Sequence, residues 1–289
     1  MHSYKKCIQC FFDQAERTAL LVGADEKKCA EIKKKISNYL KNVSFLRSPA
    51  DLSNRAIEIA CEVTGTADPY LTLKKKYNRI AKKLYPKLMR FMFSAKDKLL
   101  MAIKLAIAGN IIDLGILIKI DIDKTIKKAI NSDLTGKNYK LLKQMLERPK
   151  SILYICDNAG EIVFDRILVN ELAKKHNVTV SVKSGPVIND AMMEDAEYAG
   201  ITKLAKVITT GNNCLGVVWR KSSKEFKKAF KSSDLIISKG QANYETLEGF
   251  KTDRPIFFLM QSKCPVVAGY MKVKLGEALL KTNIKTLTG

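Results

Sequence analysis

The stretch ILYICDNAGEIVFDRILVNEL, residues 152–172, decides the fold class. It opens with an apolar run of Ile, Leu and Tyr, which predicts a buried strand. Asp157 and Asn158 follow at once, then the small residues Ala159 and Gly160, and then a segment whose apolar residues predict a helix. A strand, a short turn and a helix in this order predict the beginning of a parallel α/β sheet.

More short runs rich in β-forming residues follow the first, with helical segments between several of them. They are VTVSVK at 178–183, AKVITT at 205–210, DLIISKG at 234–240 and PIFFLM at 255–260. This alternation is typical of a parallel sheet with crossover helices, so we predict a Rossmann-like α/β portion.

The chain before this portion has no convincing strand pattern, and residues 11 to about 148 are predicted to be almost entirely helical. Candidate helices cover residues 13–22, 25–43, 52–64, 70–92, 96–108 and 138–147. Ser48 and Asp51, in SPADLSN, are candidate caps for the third helix. We therefore divide the chain into a helical N-terminal subdomain, residues 1–148, and an α/β domain, residues 149–289.

The composition of the 289-residue chain limits the classes of function that it can have. An apolar content of 46% is sufficient for a large core, and 51 Lys and Arg against 29 Asp and Glu give a formal charge of +22. Only nine of these cations are Arg, the residue that clamps phosphates and reads bases, and the Lys residues fall in amphipathic helices. The composition therefore argues against nucleic acid as the main partner.

The same composition bears on location. No uninterrupted apolar segment is long enough to span a membrane, and the N-terminal residues lack the apolar stretch of a secretory signal. Seven cysteines, an odd number spread over the chain, argue against a disulfide framework. We expect a cytoplasmic protein with reduced thiols and no membrane partner, and the sequence does not predict an oligomeric state.

Polar residues and glycine follow each of the first four predicted strands. Ligands of a doubly wound sheet bind beyond the carboxyl ends of the strands, so these residues nominate a site. The candidates are Asp157, Asn158, Asp190, Asn212, Asn213, Lys239 and Asn243. Oxygen ligands of this kind, without a nearby pair of His or Cys residues, favour Mg²⁺, Mn²⁺ or a similar divalent ion over zinc.

Two of these candidates have simpler explanations. Asp157 could cap the helix that follows it, because Asp is preferred at helix N-termini. Lys239 could be an ordinary surface lysine, although Gly240 beside it would let the backbone approach a phosphate.

Five motifs, in order along the chain, resemble those of the metal-dependent damage-control phosphatases, also known as the domain of unknown function 89 family. They are GNIIDLG, DNAGEIVFD, GPVINDA, TTGNNCLG and SKGQANYETL, and the N-terminal CIQC agrees with the microbial type that carries a CxxC motif. The resemblance extends from Cys7 to about Tyr270. It implies an α/β/α sandwich packed against the helical N-terminal subdomain.

The resemblance also implies a metal site. Its ligands would be Asp157, Asn158 and Asp190, and the expected cofactor is a divalent ion, one of Mg²⁺, Mn²⁺, Co²⁺ or Ni²⁺. Asp157 and Lys239 would be the catalytic residues, and Lys239 would bind the substrate phosphate. One departure is Asn213, at a position where the family often carries an acid.

The predicted activity is metal-dependent hydrolysis of phosphate monoesters of small metabolites, such as sugar phosphates or damaged metabolites. A divalent ion neutralises phosphoryl oxygens and lowers the pKa of water toward about 7. The nucleophile is either such a water or a carboxylate that forms an aspartyl-phosphate. The residues expected to contact the substrate are Lys239, Asn110, Asp113, Asn212 and Asn243.

Two other functions stay open. A Rossmann-like sheet with an acid after a strand also fits an S-adenosylmethionine-dependent carboxyl methyltransferase, although CDNAGE is not the glycine-rich fingerprint of a nucleotide site. The second open function is that of a module that binds anionic ligands without turnover.

Cys7 and Cys10 form the CxxC motif and allow three interpretations. They would be a redox dithiol, half of a metal site, or two packed cysteines at the start of a helix. The absence of a second CxxC and of a nearby His pair favours the last.

Overall fold

The computed structural model describes residues 1–110, 122–148 and 150–284. Within these ranges there are twelve α-helices and six β-strands. The helices are α1 (Cys7–Leu20), α2 (Glu26–Leu40), α3 (Pro49–Thr64), α4 (Leu71–Ser94), α5 (Lys98–Gly109), α6 (Ile122–Ile130), α7 (Lys137–Met145), α8 (Glu161–Ala173), α9 (Met193–Ala199), α10 (Lys224–Ser232), α11 (Gln241–Leu247) and α12 (Pro265–Met271). The strands are β1 (Ser151–Ile155), β2 (Asn177–Val182), β3 (Lys206–Thr209), β4 (Leu235–Lys239), β5 (Ile256–Gln261) and β6 (Ala278–Thr282).

The six helices predicted for the N-terminal part are present as α1–α5 and α7. The first begins at Cys7, six residues earlier than predicted, and α6 was not among the predicted helices. The cap predicted for α3 is confirmed, because the Ser48 side chain accepts a hydrogen bond from the backbone N–H of Asp51 at 3.2 Å. Pro49 occupies the first turn of α3, and Gly65, at a φ of 71°, ends it.

All six strands form one sheet in the order β3-β2-β1-β4-β5-β6. Strands β1 to β5 are parallel, and β6 is antiparallel to β5 at one edge. The sequence did not predict β6, because its short run ALLKT has no clear alternation. The strand order reverses between β1 and β4, which is where a doubly wound sheet opens its ligand crevice.

Helices cover both faces of the sheet. Side chains on one face, such as Tyr154 and Phe257, pack against α4, α5, α8 and α9. Side chains on the other face, such as Ile155 and Phe258, pack against α10, α11 and α12. This arrangement is an α/β/α sandwich, which confirms the predicted fold class.

The N-terminal helices divide into two groups. Helices α1, α2 and α3 enclose a core of their own around Phe11, Ile32 and Leu52. Helices α4 and α5 instead share the largest core with the sheet. The helical part and the sheet are therefore joined by common packing, and the division between residues 148 and 149 stays a prediction.

Two further features of the described ranges bear on the environment of the protein. None of the helices there has both the length and the apolar character needed to cross a bilayer. The seven cysteines all lie in those ranges and carry free thiols.

Candidate active site

The polar residues at the strand ends meet where the strand order reverses. Strands β1 and β4 are hydrogen-bonded neighbours, and both end at the same edge of the sheet. Asp157 and Asn158 follow β1, and Lys239 is the last residue of β4. These three residues therefore lie at the same end of neighbouring strands, where a doubly wound sheet opens its crevice.

A backbone pairing brings the loop after β2 to the same place. The backbone N–H of Ala159 donates to the carbonyl of Asn189, and the N–H of Ala191 donates to the carbonyl of Asp157, both at 2.8 Å. Residues 158 and 190 lie opposite each other in an antiparallel bridge. The three predicted metal ligands thus lie on two adjoining backbone segments.

Two amide side chains hold the Asp157 carboxylate. Asn158 Nδ2 donates to Asp157 Oδ2 at 2.8 Å, and Asn110 Nδ2 donates to the same oxygen at 3.2 Å. A Cβ at position 240 would collide with this carboxyl group. Gly240, which the sequence suggested would admit a phosphate, therefore makes room for Asp157 itself.

The Asp157 carboxyl lies in a concentration of negative charge. Burial raises its pKa well above the ordinary value, and the carboxylates of Glu161 and Asp190 raise it further. The positive charges of Lys263 and Lys239 lower the pKa only in part. A bound cation would relieve the repulsion among these carboxylates.

Lys239 is fully buried and is not part of the cavity wall described below. Its ammonium donates to Glu161 Oε1 at 2.6 Å and to Asp165 Oδ1 at 2.5 Å. The third bond, at 2.9 Å, goes to the carbonyl of Ala106. An ammonium has three donors, so contact with a substrate phosphate would require Lys239 to give up one of these bonds.

One ammonium, that of Lys239, faces two buried carboxylates. Burial alone would lower the pKa of Lys239, but the carboxylates of Asp165 and Glu161 raise it. Burial raises the pKa of Asp165 to about 6, an effect that Lys239 partly offsets. Glu161 Oε2 also accepts bonds from Asn110 Nδ2 at 2.7 Å and Asn158 Nδ2 at 3.2 Å. Glu161 therefore links the buried lysine to the two amides that hold Asp157.

A second buried lysine supports the other acidic ligand. Lys183 follows β2 and is 2% exposed. Its Nζ lies 3.4 Å from Asp190 Oδ2 and donates to the carbonyl of Gly216 at 2.6 Å. Asp190 is therefore held by an ion pair in addition to the backbone pairing around it.

The three predicted metal ligands, Asp157, Asn158 and Asp190, line a cavity of about 240 Å³. Its polar wall contains Asn110, Asp157, Asn158, Asn189, Asp190, Gln241, Glu245 and two cations, Lys6 and Lys263. Its apolar wall contains Phe11, Ile188, Leu215, Val266 and Val267, supplied in part by α1. The cavity combines an acidic floor, cations and an apolar side, and its volume is that of a pocket for a small metabolite.

The structure brings only part of the predicted site together. Asn110 lies on the cavity wall, whereas Asn212 and Asn243 do not. Asn243 Nδ2 donates to the carbonyls of Cys156 at 3.1 Å and Lys239 at 2.8 Å, so it joins the ends of β1 and β4.

Asn212 and Asn213 also lie away from this wall. Asn212 Oδ1 accepts a bond from the backbone N–H of Cys214 at 3.0 Å. Asn213 is exposed. Asp113 lies outside the described residues.

The sequence analysis missed several residues of the site, among them Lys263 and Glu161. Lys263 comes shortly after the carboxyl end of β5. Because ligands bind beyond the carboxyl ends of the strands, the position of Lys263 after the fifth strand is the signal that points to it. Glu161 lies four residues before Asp165 in α8, a spacing that places both acids on one helix face. Their shared partner, Lys239, is too far along the chain for a local pattern to reveal.

The CxxC motif lies on the cavity wall, with Cys264. Cys7 is buried at the first residue of α1, and burial raises the pKa of its thiol. Its Sγ accepts the backbone N–H of Tyr4 at 3.5 Å. Cys10 is exposed. Both cysteines lie at a helix start, but only Cys7 is packed as the favoured interpretation has it.

The donor set suits a hard divalent ion. In the described part of the chain, no three His, Cys, Asp or Glu side chains are grouped to hold a metal. The available ligands are two carboxylates, Asp157 and Asp190, and the amide of Asn158. Mg²⁺ and similar ions accept so few protein ligands because water and phosphate oxygens complete their coordination.

The fold and the cavity define a Rossmann-like enzyme with an acidic site at the switch point of the sheet. The family model described as the damage-control phosphatase ARMT1-like domain matches residues 3–279. The chain belongs to this family, which confirms the predicted family and the predicted enzyme class, a phosphatase.

Individual relatives extend over nearly the whole chain. Damage-control phosphatase PH1575 of Pyrococcus horikoshii is 34% identical over 284 residues, 96% of this chain and 97% of the relative. A damage-control phosphatase of Archaeoglobus fulgidus is 30% identical over 95% of this chain and 97% of its own length. The uncharacterized protein MJ0202 of Methanocaldococcus jannaschii is 37% identical over 95% of this chain and 93% of its own.

A solved structure gives the same result for the fold. The crystal structure of PH1575, described as a DUF89 family protein, superposes with a TM-score of 0.88 at 33% identity. The superposition covers 98% of this chain and all of the other. The helical N-terminal part and the sheet are therefore both features of this fold.

Proposed function

We propose that this phosphatase hydrolyses phosphate monoesters of small metabolites with the help of a divalent metal ion held by Asp157, Asn158 and Asp190. One observation carries the proposal: two acids and an amide from neighbouring strand ends converge on the floor of a cavity of about 240 Å³. A divalent ion bound there would neutralise phosphoryl oxygens and make a nucleophile available at neutral pH.

The residues around the ligands support this site in two ways. Asn110 and Asn158 hold Asp157 in one rotamer, and the Lys183 ion pair does the same for Asp190. Preorganised ligands of this kind bind an ion without rearrangement at the moment of binding.

Lys263 is the cation that we assign to the substrate phosphate. It lies on the cavity wall, and its charge is near enough to lower the pKa of Asp157. Lys239, the residue nominated by the sequence, has all three donors engaged, and we give it the role of offsetting part of the buried negative charge of Glu161 and Asp165. A phosphate on the cavity floor would then meet the cations of the cavity wall and not Lys239.

The size and lining of the cavity support a small substrate. A volume of about 240 Å³ is below the usual range of drug-sized sites, and its apolar wall suits a metabolite with few charges besides its phosphate. The free thiols support a reducing compartment such as the cytoplasm.

The test is hydrolysis of p-nitrophenyl phosphate by metal-stripped protein. Mg²⁺, Mn²⁺, Co²⁺ or Ni²⁺ is added back to the parent and to Asp157→Ala. Asp253→Ala, which removes an exposed carboxylate, is the matched control. We expect turnover to return with at least one ion in the parent and the control, and to be absent in Asp157→Ala.

Turnover that persists in the presence of chelator would contradict the metal-dependent mechanism. A metal titration by calorimetry separates a binding defect from a catalytic one, because Asp157→Ala should also weaken metal binding. No hydrolysis of a wide panel of phosphate esters with any of the four ions would favour the methyltransferase or the binding module.

A further inference from the structure

The loop after β1 rests directly on helix α4. The backbone N–H of Gly160 donates to Asn78 Oδ1 at 2.7 Å, and Asn78 is buried. A Cβ on Gly160 would lie 2.9 Å from the Cβ of Tyr77, so the loop and the helix are in van der Waals contact. Asp157 and Asn158 come just before Gly160 in the chain. Helix α4 therefore supports the segment that carries two of the proposed metal ligands.

The same amide side chain also reaches the segment after β2. Asn78 Nδ2 donates to Asp195 Oδ1 at 2.5 Å. The other carboxyl oxygen of Asp195, Oδ2, accepts the backbone N–H of Met192 at 2.8 Å. Met192 comes shortly after Asp190, the third proposed ligand. One buried amide, on a helix of the N-terminal part, thus connects both segments that carry the ligands.

The partners of Asn78 determine how its amide is oriented. A backbone N–H only donates and an ionised carboxyl group only accepts, so the amide oxygen must face Gly160 and the amide nitrogen must face Asp195. Backbone hydrogen bonds at Ala159 and Ala191 already hold the two segments side by side. Asn78 adds a bond from each of them to a helix that packs against the sheet.

We propose that Asn78 and Asp195 are positioning residues for the metal site. They hold the segment that carries Asp157 and Asn158 beside the segment that carries Asp190, at the spacing that one ion requires. Neither Asn78 nor Asp195 lies on the cavity wall, so both act through the backbone of these segments. The inference rests on the proposed function, because it takes a divalent ion to bind the three ligands. Mg²⁺ demands ligand distances of about 2.0–2.1 Å, so a small shift of one segment weakens such a site.

The experiment compares the metal affinity of Asn78→Ala with that of the parent protein. Metal-stripped protein is titrated by calorimetry with whichever of Mg²⁺, Mn²⁺, Co²⁺ and Ni²⁺ binds the parent most tightly, and urea denaturation shows that each variant is folded. The matched control is Asn283→Ala. Asn283 accepts the backbone N–H of Ile256 at 2.8 Å and donates to the carbonyl of Arg254 at 3.0 Å. It makes the same number of bonds as Asn78, but at the amino end of β5, away from the site.

A second pair of variants tests the hydrogen bonds themselves. Asn78→Asp keeps an acceptor for Gly160 but places two carboxyl groups face to face. In the double variant Asn78→Asp with Asp195→Asn, the amide and the carboxylate change places. The carboxylate on α4 then accepts bonds from Gly160 and from the amide on α9, and the oxygen of that amide accepts the N–H of Met192. The double variant therefore keeps all three hydrogen bonds.

We expect Asn78→Ala and Asn78→Asp each to weaken metal binding by about tenfold or more, the usual effect of removing a group that orients metal ligands. The metal concentration that gives half-maximal turnover of p-nitrophenyl phosphate should rise by the same factor. The double variant should bind the metal within about threefold of the parent, because the two substitutions compensate each other. Asn283→Ala should stay within about twofold of the parent in metal affinity, since it is remote from the site.

Two results would overturn the inference. The first is an Asn78→Ala variant that is less stable than the parent in urea but binds the metal equally well, because the bonds of Asn78 would then serve only the stability of the fold. The second is a double variant that binds the metal as weakly as Asn78→Asp. Failure of the proposed function looks different, because the parent itself would then bind none of the four ions and there would be no metal site to position.

Discussion

The place of Asp157 depends on the absence of a side chain at Gly240, and the substitution Gly240→Ala tests this dependence. Gly240 has a φ of 78° and a ψ of 165°, a region that residues other than glycine occupy only at a cost of on the order of 1–3 kcal/mol. The added Cβ would also collide with the Asp157 carboxyl group. The carboxylate would have to leave its position.

Leaving that position breaks two hydrogen bonds, those from Asn110 and Asn158. A typical hydrogen bond contributes roughly 0.5–1.5 kcal/mol to stability. Together with the backbone strain, we expect Gly240→Ala to lower the free energy of unfolding by about 2 kcal/mol or more. Because Asp157 is a proposed metal ligand, metal affinity and turnover should be lost as well.

Gly249→Ala is the matched control. Gly249 has nearly the same φ, 75°, but a Cβ there would have no neighbour within 4 Å. Its cost should be the backbone strain alone, about 1 kcal/mol, with full metal-dependent activity. Urea denaturation of the metal-stripped variants measures the first quantity, and metal titration and p-nitrophenyl phosphate turnover measure the second. Gly240→Ala with the metal affinity and turnover of Gly249→Ala would refute the argument.

Three further predictions concern the charged groups of the site. Lys263→Gln should raise the KM for a phosphate ester about tenfold or more while the exposed control Lys251→Gln does not, and an unchanged KM would remove Lys263 from the substrate site. Lys183→Met should lower the unfolding free energy of metal-stripped protein by about 3 kcal/mol, because it leaves Asp190 in a buried site without its ion-pair partner, and equal stability in urea would contradict this. For Asp165, the folded pKa of about 6 lies above the unfolded value, so its contribution to stability is complete below pH 4 and is lost as the pH rises through 6. The unfolding free energy of Asp165→Asn should therefore rise by about 3 kcal/mol relative to that of the parent between pH 4 and 7. If the difference in unfolding free energy between the two proteins did not change with pH, the Asp165 carboxyl would titrate normally.

The local sequence was enough for the fold class and for part of the site. Period-two and period-3.6 patterns depend only on neighbouring residues, so the five parallel strands and six of the helices could be read directly. The rule that ligands bind at strand ends then placed Asp157, Asn158 and Asp190 together, and five motifs in order identified the family that the comparisons confirm. Strand β6 was not predicted, because the alternation of apolar and polar residues in this edge strand of five residues is too weak.

Only the tertiary structure decided what each polar residue contacts. The sequence nominated Lys239 for a substrate phosphate. In the structure its buried ammonium instead donates hydrogen bonds to Glu161 and Asp165, which lie 78 and 74 residues away along the chain. Asn110 reaches Asp157 across 47 residues. Contacts of this kind depend on which helix packs over which strand end, and the free energy that fixes such packing comes from apolar surface buried throughout the core. The sequence by itself therefore determined the elements and the edge of the sheet where the site lies, whereas long-range packing decided which lysine faces the cavity and which is buried among carboxylates.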